Sequence, residues 1–191
     1  PAETELGWFA PEIALLHSAN VNLEQAKLWS ALAIREATID QQALQNWQKV
    51  WPLIRIMWGD SAFEWNDENL IHWKNSTTED NPENLQKITA LMYNLLYVLG
   101  EPIPPELWET LLSYSSPNGS TKSIFNNHRS IDLATKKSNL GEAISIILIS
   151  LGQTEFNSLS PQELVLIVDS VNRLGFSKEA RQLAFEILLS Q

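Results

Sequence analysis

The chain has 191 residues, 44% of them hydrophobic, with 23 acids against 13 bases and a net charge of −10. That is enough apolar material for a folded domain rather than a disordered tail. The acid excess disfavours nucleic acid and anionic membrane surfaces, which need clustered Lys and Arg, and the absence of Cys excludes disulfides, thiolate metal sites and cysteine nucleophiles.

In chain order, the signals are those of helices. Pro11 precedes a short apolar run, Ile13 to His17, which predicts one short helix within residues 1–21. Asn22, with Gln25 three residues on, opens a second helix to about Thr38, with Leu28, Trp29, Leu32 and Ala33 as its expected apolar stripe. Asp40 caps a third. Leu44, Trp47, Trp51, Ile54 and Trp58 recur at spacings of three and four, and Gly59 ends the run. Pro52 lies inside that stripe and predicts a kink or a fresh helix start there. A short helix from Asp67 to Trp73 lies in an otherwise polar, turn-rich segment, 59–81.

Asn81-Pro82 to Gly100 is the clearest helix. Asn81 suits the cap, Pro82 the first helical position, and Gly100 a left-handed close. Leu85, Ile88, Met92, Leu95 and Leu99 form its stripe. After Pro102, Pro104 and Pro105 a short helix runs to Leu112. Residues 113–138, rich in Ser, Asn and Lys, read as a long mobile loop. The last third predicts three helices: one from Asn139, apolar on nearly all sides to Leu151 and so a buried central helix; one from the Ser160-Pro161-Gln162-Glu163 capping box; and one from Ser177 to the C-terminus.

These readings give an all-α protein of about seven to nine helices. The expected architecture is an irregular array of antiparallel hairpins, α-solenoid or tetratricopeptide-like, in which the small Ala180 and Ala184 admit a close neighbour. Residues 1–191 are expected to form one domain. It could be built as two packed halves, a Trp-rich 1–112 and a three-helix 139–191, joined by 113–138.

Three stretches carry a resemblance: Val50-Trp51-Pro52-Leu53-Ile54-Arg55, Leu140-Gly141-Glu142-Ala143, and Leu174-Gly175-Phe176 with Glu179-Ala180-Arg181-Gln182-Leu183-Ala184. They resemble the helical C-terminal region of uncharacterised alphaproteobacterial proteins, some loosely labelled antifreeze-like. The resemblance implies a bacterial, helical, non-enzymatic protein with no known active site. Together with the start at Pro1, it suggests the C-terminal part of a larger bacterial protein. A soluble location is expected, cytoplasmic or exported, with no membrane insertion, because no apolar run approaches about 18 residues.

All eight Trp lie at or before Trp108. Trp47, Trp51 and Trp58 share one helical face and read as core. Trp65 and Trp73 flank Asp67 and Glu68 in a polar segment, and these four residues are the candidate partner-binding surface. Its partner should be basic with apolar anchors. Lys122, Arg129, Lys136 and Lys137, with His128, form a secondary basic loop. Glu64, Glu68 and His72 stand at i, i+4 and i+8, the spacing of helical metal ligands, but a solvated acidic face explains them more simply, so no metal and no cofactor is expected. No nucleophile motif or phosphate loop accompanies the three His. The runner-up is a carbohydrate-binding or hydrolytic domain on the Trp and acid cluster 58–73, with Glu64 and Glu106 or Glu109 as paired carboxyls.

Overall fold

The computed structural model describes residues 7–76, 82–112, 141–142, 144–145 and 159–190. Among them are eight α-helices, two short 3-10 turns and no strand. The chain divides into two compact units, Pro1–Leu85 and Gln86–Gln191.

In the first unit a 3-10 turn, Gly7–Phe9, leads into α1 (Ala10–Ala19), α2 (Leu23–Ala37), α3 (Gln41–Trp58) and, after a second 3-10 turn (Gly59–Ser61), α4 (Asp67–Ser76). Local chemistry sets the helix starts. The Asn22 side chain accepts from the Gln25 amide at 3.3 Å, Asp40 from Gln42 at 3.1 Å, and Asn66 from Asn69 at 3.0 Å. α1 packs on α2 and α3, α2 on α3, and α4 on α3.

The expected α2 stripe holds at Ala33 and is corrected at Leu28. Ala26, Ser30 and Ala33 are buried, whereas Leu28 is 63% exposed. α1 likewise buries Ala10, Ala14 and Ser18. Small residues at spacings of three and four on both helices let the backbones approach closely, and this turns the bulky side chains outward. α3 is the central helix of the unit, with Val50 to Met57 buried on nearly all sides except at Leu53. It runs through Pro52 as one helix with no second start. Pro52 removes only the amide that would bond the Gln48 carbonyl.

The second unit holds most of α5 (Pro82–Val98), α6 (Pro105–Leu112), α7 (Pro161–Arg173) and α8 (Ser177–Leu189). Leu91, Met92, Tyr93, Leu95, Leu96 and Leu99 are buried, so α5 is covered on more than the single stripe that its spacing predicted. Gly100 takes a φ of 87°. Its amide bonds the Tyr97 carbonyl at 2.9 Å and that of Glu101 bonds Leu96 at 3.0 Å. These are the paired bonds of a Schellman close, repeated at Gly175 with Asn172 and Val171. Ser160 and Glu163 form the full reciprocal capping box. α7 packs on α8, where Ala180 and Ala184 are buried. α8 starts at Ser177 as expected, and its cap, Phe176, makes no side-chain bond.

The far end of α5 is tied down from α7 and α8. Asn172 donates to the Val98 carbonyl at 2.8 Å. Arg181 donates to the Leu99 carbonyl at 3.3 Å and to the Glu101 carboxylate at 2.8 Å. Orphan carbonyls at a helix end need such donors. Gly141, Glu142, Ile144 and Ser145 are helical, within the helix expected from Asn139. The rest of that helix, the Asn81 cap and residues 113–138 lie outside the described residues.

Candidate functional site

The candidate site of the first unit is the strap that joins α3 to α4, residues 59–66. Gly59 starts it in a conformation, φ 55° and ψ −143°, that only glycine adopts readily. The chain then turns back along α3. The Phe63 ring meets Trp47 edge to face at 5.5 Å, and Trp65 meets Trp51 at 5.5 Å and 64°. Such pairs add about 0.5–1.5 kcal/mol each beyond their burial.

One turn beyond Trp51 on the same side of α3 lies Arg55. Its side chain is 2% exposed, and it donates to the Phe63 carbonyl and, at 2.5 Å, to the carboxylate of Asp60, which is itself 92% exposed. The Arg55 guanidinium also sits 5.7 Å from the Trp65 ring centroid, a cation–π distance. Sequence reasoning missed Arg55. The available signal was a charged residue embedded in an apolar run, Leu53-Ile54-Arg55-Ile56-Met57, just before Gly59-Asp60.

The four residues expected to bind a partner separate. Trp65 is half-buried, and its indole N–H donates to Asp67. Asp67 and Glu68 are exposed on the first turn of α4, where acids also favour the helix dipole. Trp73 is corrected: it is 7% exposed and shares the inner face of α4 with Leu70 three residues earlier, so its ring belongs to the packing rather than to the surface. The exposed acids of the strap and the start of α4 are therefore Asp60, Glu64, Asp67 and Glu68.

The spacing of Glu64, Glu68 and His72 does not become a helical face, because Glu64 lies in the strap and α4 begins at Asp67. Among the described residues no group of three or more His, Asp or Glu is placed to hold a metal ion. Glu106 lies on α6 in the second unit, apart from the unit that holds Glu64. Lys122, Arg129, Lys136, Lys137 and His128 lie outside the described residues. No described helix is long and apolar enough to cross a membrane.

Among the described residues there are also apolar grooves. One, of about 230 Å³, runs between α5 and α7 in the second unit, lined by Ala90, Asn94 and Val98 opposite Pro161, Val165 and Asp169. The other, wider and shallower, follows the outer face of α2 at Leu28, Leu32 and Arg35. Comparison with known proteins gives no match to a family model, a curated protein or a solved structure.

Proposed function

We propose that this chain is a non-enzymatic protein-interaction module, an irregular array of helical hairpins that forms the C-terminal domain of a larger bacterial protein. The observation that carries the reading is the strap and the first turn of α4: the carboxylates of Asp60, Glu64, Asp67 and Glu68 are exposed within eight residues of a half-buried indole at Trp65, which bonds Asp67. An aromatic anchor inside a charged rim is the usual composition of a protein contact. The strap's attachment to α3 gives that surface a defined shape before a partner arrives, which lowers the ordering cost of binding. Helices joined by three-residue connectors, α1 to α2 and α2 to α3, support the array reading.

The partner is basic with apolar anchors. Acid on this side steers and orients base on the other, and the steering weakens as salt rises. Capture of partners from a lysate of the source organism tests this, with wild type against a Trp65→Ala/Asp67→Asn/Glu68→Gln variant. Loss of a basic partner from the variant supports the reading. Equal capture by both proteins overturns it.

A further inference from the structure

Arg55 is a buried charge held by Asp60, one of the outward acids. Taking a guanidinium out of water is costly, and an apolar residue of similar size generally serves stability as well or better. Its surroundings are specific. Trp47, Trp51 and Arg55 stand at i, i+4 and i+8 on α3, a single stripe. The strap covers that stripe with one group for each member: the Phe63 ring for Trp47, the Trp65 ring for Trp51, and the Asp60 carboxylate with the Phe63 carbonyl for Arg55. The attachment is made by side chains. From Phe63 to Asn66 no backbone N–H donates to another backbone group among the described residues. The strap has a glycine-specific turn at one end and the cap of α4 at the other.

We propose that the Trp47–Trp51–Arg55 stripe is a peptide-binding groove, and that the strap occupies it as a built-in pseudo-ligand. The strap defines the chemistry of the occupant it excludes: a turn-forming partner segment with a carboxylate followed by two aromatic side chains. Being tethered, the strap competes at high effective concentration, so a free segment enters only when the strap is displaced. A segment that binds the open form shifts the population toward it. This groove lies under the strap, whose Asp60 and Trp65 also belong to the outward surface.

The test uses the full chain with Asp60→Ser, Phe63→Ser and Trp65→Ser, and as probe the dye-labelled synthetic peptide of strap sequence, residues 59–66. Fluorescence anisotropy should show saturable one-to-one binding to this variant. Wild type should bind the peptide about tenfold more weakly or worse, and a peptide with both aromatics replaced by Ser should lose about the same from the variant. No binding to the folded variant, or equal binding of the two peptides, would overturn the proposal. Loss of helical dichroism in the variant would overturn it too, because the strap would then be part of the core.

Discussion

The indole N–H of Trp58 donates to the hydroxyl of Ser18 at 2.8 Å and so fastens the end of α3 to α1 across forty residues of sequence. Ser18 is fully buried, and its own O–H donates to the Ala14 carbonyl at 2.9 Å. Ser18→Ala leaves the Trp58 donor without this acceptor in a partly buried place. The expected cost is about 1–3 kcal/mol, measured by urea denaturation. A change of a few tenths would mean that water replaces the hydroxyl.

Val21 ends α1 with a φ of 56°. Its amide bonds the Ser18 carbonyl at 3.0 Å and the Asn22 amide bonds His17 at 2.8 Å, so a β-branched residue occupies the glycine position of a Schellman close. The side chain is 54% exposed and contributes little packing. Val21→Gly should therefore raise stability by about 1 kcal/mol, as relief of local strain outweighs the added freedom of the unfolded chain. Equilibrium denaturation checks it. Destabilisation would show that the Val21 side chain makes contacts worth more than the strain.

Much of the fold was legible because its signals are local. Gly100, Gly175, the Ser160–Glu163 box, Asn22 and Asp40 each act within a few residues of their own position, and each does what its sequence pattern implies. The α2 stripe was legible only in part. Ala33 is buried as its place in the stripe implies, but Leu28 is not: α1 offers Ala10, Ala14 and Ser18 to the packing, and close approach buries Ala26 and Ser30 of α2 instead. Trp73 sits in a polar segment, but its place three residues after Leu70 on α4 decides its burial. Arg55 gave little warning, since its partners in the strap come from a fold-back that starts at one glycine.

Tyr93 is fully buried, and burial pushes its phenol from 10.0 up to about 12. Its hydroxyl has no hydrogen-bond partner among the described residues. A group whose pKa is raised on folding contributes its stability in full below the unfolded value and loses it as pH climbs toward the folded one. Stability should thus fall between pH 10 and 12, and Tyr93→Phe should flatten that fall. At neutral pH the same change should be neutral or stabilising, by up to about 1 kcal/mol, since it removes a buried unpaired hydroxyl. Denaturation midpoints for both proteins at pH 7 and pH 11 are the measurement.

The Glu101 side chain is 3% exposed, and Arg181 holds it at 2.8 Å while also bonding the Leu99 carbonyl. Arg181→Leu would take the charged partner from a buried carboxylate and remove a donor from the end of α5. The expected loss is at least about 2 kcal/mol, on the low side for a broken buried pair because Arg181 is itself partly exposed. Arg173→Leu, which breaks the more exposed pair with Asp169 at 3.7 Å, should cost no more than about 1 kcal/mol. Urea titration of the two variants side by side separates these outcomes.

Site-specific photo-crosslinking tests the strap as a contact surface most directly. A photoreactive residue placed at Glu64, which is exposed beside Trp65, should crosslink in lysate to a basic protein partner, and the yield should drop as salt rises. The same residue at Leu28, on the outer face of α2, should not crosslink to that partner. Crosslinks at Leu28 or at Lys136 with none at Glu64 would contradict the assignment and move the contact to another face.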